Sequence, residues 1–303
     1  MALFSVMGDS ISTFEGISPS DWRMFYDQEQ QERHGVLNPC ETWWGRVIDH
    51  FGGELLRDSA FSGCCTEGRG FPAGESLERA QYLCTSEQSP DHVLVFQGTN
   101  DYGWGNALNQ AMCGSLSAPK EWAAQVKPAT PHIPGTACPE DLDIFADGYE
   151  RMVRNIRACC PNATVWCMTV LPGRLAGVGH TTFPYQYRGN KLEDFNAALA
   201  RGAKAAGGVV CDAAGLGYEY EGLDGTHPTA LGMKQMAALF IHVMEIADTD
   251  GLLPAAEPFD WDAAKQELFE GFEQEPDHCD RPNCMGCEFA QATGFPWTTV
   301  CQK

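Results

Sequence analysis

Long apolar runs are missing from this 303-residue chain: no stretch approaches the ~20 consecutive apolar residues of a membrane span. Basic residues are scarce, 20 against 41 acidic ones, and the formal net charge is −21. A field of that sign repels nucleic-acid phosphates and anionic headgroups, so neither nucleic acid nor a membrane surface is expected as a partner. Residues 1–8 lack the basic flank and longer apolar stretch of a secretory signal, and a cytoplasmic protein starting directly on a core strand is expected. No internal repeat is evident. What is present, 44% hydrophobic and 20% charged residues, is an ordinary globular composition. The length suits one large domain with an appendage.

Five short apolar runs, Leu3–Met7, Glu54–Ser59, His92–Gln97, Ala163–Leu171 and Gly208–Cys211, alternate with longer amphipathic stretches. The latter are Glu41–Phe51, Ser76–Cys84, Asp143–Cys159, Leu192–Ala206 and Thr229–Ala247. Strands alternating with helices predict an α/β fold whose parallel sheet is covered on both faces. Ligand sites in such folds lie beyond the carboxyl ends of the strands. That rule selects Gly8-Asp9-Ser10, Ser62-Gly63, Gly98-Thr99-Asn100-Asp101 and the loop holding Asp224 and His227.

"LDGTHPTALG", Leu223 to Gly232, places Asp224 three residues before His227, with Pro228 expected to open the following helix. An aspartate there can accept from the imidazole, fix its tautomer and stabilise its protonated form. Ser10, in "SVMGDSIS", is by itself readable as a helix N-cap, a phosphate ligand or a nucleophile at a strand's end, and taken alone the N-cap reading is favoured over the nucleophile. Beside a general base its hydroxyl becomes a nucleophile. Gly63 and Asn100, with the Ser10 N–H, would supply donors to the oxyanion that such an attack creates. Asp9 and Asp101 read as local turn residues.

"GDSI", "SG" at Ser62-Gly63, "GTND" and "DGTHP" resemble, in order and spacing, the four sequence blocks of the SGNH hydrolases, the GDSL lipase/acylhydrolase superfamily. The resemblance spans roughly residues 1–247. It implies a three-layer α/β/α sandwich with a flavodoxin-like five-stranded parallel sheet, and a serine esterase that needs no cofactor for catalysis. Carried over, Ser10, Gly63, Asn100 and His227 are the motif residues, with Asp224 completing a triad. Asp58 stands where the family often has Asn. Short-chain, acetyl-type esters of carbohydrates or small alcohols are the first expectation for a small-molecule substrate. A lysophospholipase or thioesterase is the second. An idle carbohydrate- or nucleotide-binding module is the non-enzymatic alternative, against which the complete set of motif residues speaks.

Three features stand outside that pattern. Trp22, Trp43 and Trp44 either stack on a sugar or bury a helix face, and the second reading is favoured. Tyr102-Gly103-Trp104, soon after Asn100, is expected to line the acyl or alcohol pocket, and the long segment Trp104 to Leu142 that follows is expected to be a lid or specificity wall. Residues 248–303 hold 12 acidic and 3 basic residues, and are expected as a separate acidic appendage to the 1–247 domain. Cys279, Cys284, Cys287 and Cys301 in that appendage, four of 14 cysteines, fit a structural zinc, plain thiols or disulfides.

Overall fold

A sheet buried on both faces requires continuous apolar runs, because successive side chains point to opposite faces and each face meets a core. The structure, a computed structural model, describes residues 1–68, 70–104, 139–177, 181–183, 186–187 and 190–274. Its strands are β1 (Leu3–Gly8), β2 (Glu54–Ala60), β3 (His92–Phe96), β4 (Thr164–Met168), β5 (Gly173–Leu175), β6 (Thr181–Phe183), β7 (Gln186–Tyr187), β8 (Asn190–Lys191), β9 (Val209–Cys211) and β10 (Tyr220–Gly222). The helices are α1 (Gln28–His34), α2 (Trp43–His50), α3 (Leu77–Tyr82), α4 (Thr99–Trp104), α5 (Pro139–Cys159), α6 (Leu192–Ala205), α7 (Ala230–Ala247) and α8 (Trp261–Leu268). Each of the five runs and five helical stretches read from the sequence has its counterpart here.

The main sheet is parallel, in the order β2-β1-β3-β4-β9. This is the flavodoxin-like order, with β1 and β3 flanking the point where the winding reverses. Phe4, Val6, Leu94, Phe96, Trp166 and Met168 enter one core with residues of α2 and α7. Their strand neighbours Met7, Val93, Val95, Val165 and Cys167 enter a second core with residues of α3, α5 and α6. The three layers therefore follow directly from alternation. Helix α7 is apolar enough over 18 residues to cross a membrane, but 61% of it is buried within the fold.

Register carries the functional consequence. Gly8 at the end of β1 pairs with Ala60 at the end of β2 and with Phe96 at the end of β3. The three strands thus finish level, and Ser10, Ser62-Gly63 and Thr99-Asn100 leave from one edge of the sheet.

The expected break at residue 247 does not coincide with a break in packing. Beyond it, Phe269 is buried in the core, Trp261 stacks on His242 of α7 at 4.6 Å, and Gln235 of α7 donates to the Leu268 carbonyl. Arg174, in a buried ion pair with Glu219, also donates to the Gly271 and Glu273 carbonyls. Residues 248–274 belong to the same packed body because their aromatic residues cover the outer side of α7. Cys279, Cys284, Cys287 and Cys301 lie outside the described residues, as does most of the 104–142 segment. Among the described residues no group of three or more His, Cys, Asp or Glu is arranged to hold a metal ion.

Candidate active site

The turn after β1 is too tight for a side chain at Gly8: a Cβ there would lie 2.2 Å from Ser12 Oγ. Asp9 caps the following 3-10 turn, Ser10–Ser12, by accepting from the Ile11 N–H at 3.1 Å. Ser10 is therefore relieved of capping, and its own hydroxyl stands 2.9 Å from His227 Nε2. The far side of the turn is pinned by two indoles. Trp43 Nε1–H donates to Ser12 Oγ at 3.2 Å, and Trp44 Nε1–H donates to the Ser12 carbonyl at 2.9 Å. Both tryptophans are buried among Phe96, Phe240 and their neighbours, as the helix-face reading anticipated.

The loop between β10 and α7 holds the partner of Ser10. Asp224 Oδ1 accepts from the Thr226 and His227 N–H groups at 3.0 and 2.7 Å, while Oδ2 lies 2.6 Å from His227 Nδ1. A carboxylate only accepts, so Nδ1 carries the proton and Nε2 is left with its lone pair toward the Ser10 O–H. Burial acts to raise the Asp224 carboxyl, but the facing His227 and these three hydrogen bonds outweigh it and hold the carboxyl well below the usual carboxylate range. Pro228 does not open α7. Thr229 is the cap, accepting from the Gly232 N–H, and Pro228 precedes it. The Pro228 carbonyl instead accepts from Tyr26 Oη at 2.6 Å and from His34 Nδ1 at 3.0 Å. Tyr220 Oη ties the preceding Thr226 carbonyl at 2.6 Å. Phe25 lies flat on the His227 ring, with centroids 3.5 Å apart and planes 6° apart.

Gly63 sits at φ 79°, a left-handed conformation that disfavours any side chain. Asn100, at the start of α4, donates from Nδ2 to the carbonyl of Cys64 at 3.0 Å and makes a longer 3.4 Å contact to Asp9 Oδ2. That amide consequently touches both the turn carrying Ser10 and the turn carrying Gly63. The Ser10 and Gly63 N–H groups donate to no acceptor among the described residues. Ser10, Gly63, Asn100, Asp224 and His227, selected from four separate stretches of sequence, therefore converge on one place.

Arg79 binds the edges together and was not legible in the sequence. It is fully buried, and its guanidinium donates to the carbonyls of Gly8 at 2.7 Å, Pro72 at 2.7 Å and Ser59 at 2.9 and 2.5 Å, and to Cys64 Sγ at 3.1 Å. Three carboxylates surround this machinery. Burial pushes Asp9 up to about 6 against the opposing Ile11 N–H, and pushes Asp58 up to about 7 against its bonds from Ser18 and Ala60. Asp101 is likewise raised by burial to about 7. Asp9 is the local turn residue expected. Asp101 is not: it accepts from the Thr66 N–H, 35 residues away, and so ties α4 to the loop after Gly63. Tyr102, expected to line the acyl or alcohol pocket, is instead fully buried against Phe195 in the second core.

The family model of the GDSL-like lipase/acylhydrolase family matches residues 6–235. The chain belongs to that family. No functionally curated protein matches the sequence. Among solved structures, a chain from Bacteroides ovatus ATCC 8483 described as a GDSL-like lipase superposes with a TM-score of 0.53 at 20% identity, covering 81% of this chain and 99% of its own. A second GDSL-like lipase, from Bacteroides uniformis ATCC 8492, superposes with a TM-score of 0.51 at 21% identity, covering 81% of this chain and 96% of its own. The protein is thus an ester-hydrolysing enzyme of the GDSL type, and family members need no catalytic cofactor.

Proposed function

We propose that the protein is a serine esterase in which Ser10 is the nucleophile, His227 the general base and Asp224 the residue that holds His227 in its tautomer. The observation that carries this reading is the unbroken chain from Ser10 Oγ to His227 Nε2 at 2.9 Å and from His227 Nδ1 to Asp224 Oδ2 at 2.6 Å. As Ser10 Oγ attacks the ester carbonyl, its proton passes to His227 Nε2. The carbonyl oxygen becomes an oxyanion and receives hydrogen bonds from the Ser10 N–H, the Gly63 N–H and Asn100 Nδ2. The tetrahedral species collapses, His227 returns the proton to the departing alkoxide, and the acyl group remains on Ser10. Water, deprotonated by His227, then releases the acid by the same steps in reverse.

The substrate we assign is a short-chain, acetyl-type ester of a carbohydrate or small alcohol. Because His227 must protonate the leaving oxygen, the alcohol lies beside His227, and there the half-buried Phe25 ring presents an apolar surface. Trp22, also half-buried, packs on Phe61 next to Ser62 and on Phe71 and Tyr82. The polar groups gathered at the Asn100 amide (Asp9, beside Ser10 in sequence, and the Cys64 carbonyl, beside Gly63) suit a small acyl group better than a long apolar tail.

Hydrolysis of p-nitrophenyl esters from acetate upward, with labelling by a fluorophosphonate, tests the proposal. Wild type is expected to prefer the shortest acyl chains and to be labelled on Ser10, while Ser10→Ala loses at least ~10³-fold in kcat and all labelling. Ser10→Ala turning over acetate at the wild-type rate would end the reading. A preference for long chains would end the substrate assignment alone.

A further inference from the structure

Fourteen cysteines are many for one chain, and eight of them lie among the described residues. Cys167 and Cys211 are buried core residues, and Cys64 is enclosed by Arg79 and Gln97. Cys84 and Cys160 are different. Cys84 follows α3 and Cys160 follows α5, helices that share the second core through Ala80, Leu83, Met152 and Ile156. The two sulfurs are 2.8 Å apart, about 0.8 Å beyond the length of a disulfide bond. Cys159, the third thiol nearby, presents its backbone to Cys84: its carbonyl accepts from Cys84 Sγ at 3.5 Å. Cys84 is partly exposed, whereas Cys160 is buried.

We propose that Cys84 and Cys160 are a redox pair that closes to a disulfide and staples the end of α3 to the end of α5. A low-molecular-weight disulfide such as oxidised glutathione is the oxidant by class. The accessible Cys84 thiolate attacks one of its sulfurs; the bond between the two glutathione sulfurs breaks and one glutathione thiolate leaves. Cys160 then gives up its proton and attacks Cys84 Sγ, forming the internal disulfide and displacing the second glutathione. Two protein thiols have lost two electrons and two protons, and one small disulfide has become two thiols. The ring closes across 76 residues, which constrains the unfolded chain strongly. It also fixes the far end of the helix that carries Arg79. Whether the staple is shut depends on the surrounding redox poise.

The test uses the full chain, incubated in glutathione buffers from fully reduced to mostly oxidised. Free thiols are then alkylated, the protein digested, and the peptides mapped without reduction. The expected result is a Cys84–Cys160 crosslinked peptide whose yield follows the glutathione ratio and which dithiothreitol removes. Oxidised wild type should melt roughly 5–10 °C above reduced wild type. Cys84→Ser and Cys160→Ser should lose both the crosslink and the increment, and Cys159→Ser should keep both. Alkylation of both cysteines at every ratio would overturn the proposal, as would a Cys84–Cys159 crosslink in place of Cys84–Cys160. The wild-type peptide map decides the pairing even if a variant fails to fold.

Discussion

Replacing Arg79 by lysine keeps a positive charge at the crossing of the two site turns but removes its shape. A guanidinium has five N–H donors, and here all five are directed at acceptors: two carbonyl contacts at Ser59, one each at Gly8 and Pro72, and the Cys64 sulfur. An ammonium has three donors radiating from one point, so at least two of these contacts are lost at a fully buried position. Hydrogen bonds to a charged group contribute about 1.5–3 kcal/mol each, which puts the loss near 3 kcal/mol after relaxation. That is a large fraction of the ~5–15 kcal/mol that holds a typical domain together. Arg79→Lys should accordingly melt ~6 °C or more below wild type. The Gly8 and Ser59 carbonyls position the turns of Ser10 and Gly63, so kcat for p-nitrophenyl acetate should fall at least tenfold with KM little changed. Differential scanning calorimetry and initial-rate kinetics on the same preparation check both. An Arg79→Lys protein that melts within 1 °C of wild type and keeps its kcat would refute the reasoning, because the fork would then be dispensable.

Asp224→Asn should leave the fold intact but lower kcat by about 10⁴-fold, since an amide facing Nδ1 no longer enforces the tautomer that leaves Nε2 free for Ser10; a loss under tenfold would contradict the assigned role. Trp44→Phe removes the indole bond to the Ser12 carbonyl and should cost about 1–2 kcal/mol in urea unfolding, together with a several-fold drop in kcat. The buried Asp58 makes stability pH-dependent. Folded Asp58 keeps its proton up to about pH 7, whereas an unfolded aspartate releases it near pH 4. Between those values the unfolded state binds fewer protons, so this residue's contribution is present at low pH and is lost as pH rises toward 7. The window corresponds to at most about 4 kcal/mol. Asp58→Asn, which mimics the protonated form, should therefore gain stability relative to wild type between pH 5 and pH 8; a constant difference across that range would show that Asp58 ionises normally.

Much of the architecture was written into local pattern. Continuous apolar runs with alternating faces specified β1, β3 and β4, and the three- and four-residue spacing of Ile144, Phe145, Tyr149, Met152, Val153 and Ile156 specified α5, whose stripe is buried except for the half-buried Ile144. The candidate site was legible for a related reason. Ser10, Gly63, Asn100 and the Asp224–His227 pair each sit at the end of a recognisable element, in short segments whose glycines and turn residues are set by the local backbone.

What sequence reading missed are contacts between segments far apart in the chain. Arg79 lies in the middle of an amphipathic helix and nothing near it in sequence marks it as buried. Its burial follows from the meeting of β1, β2 and the 59–72 loop, whose carbonyls replace water around the charge. Trp43 and Trp44 read as a helix face, and only packing showed that their N–H groups end on Ser12. Phe25, Tyr26 and His34 carry no motif, yet they press on His227 and on the carbonyl of Pro228, about 200 residues later. The expected break at residue 247 rested on a change in charge, whereas packing depends on where Trp261 and Phe269 find apolar surface, and they find it on α7 and in the main core.

The sequence by itself determined the sheet, its helices and the residue types gathered at the carboxyl edge, because periodicity and turn chemistry act over a few residues. Tertiary structure alone decided the distances at which Ser10, His227 and Asp224 meet, which cation holds the turns level and which two of the cysteines lie sulfur to sulfur. Those are distances between residues brought together by the register of β1 with β2 and β3 and by helices closing over both faces, and no local rule encodes them.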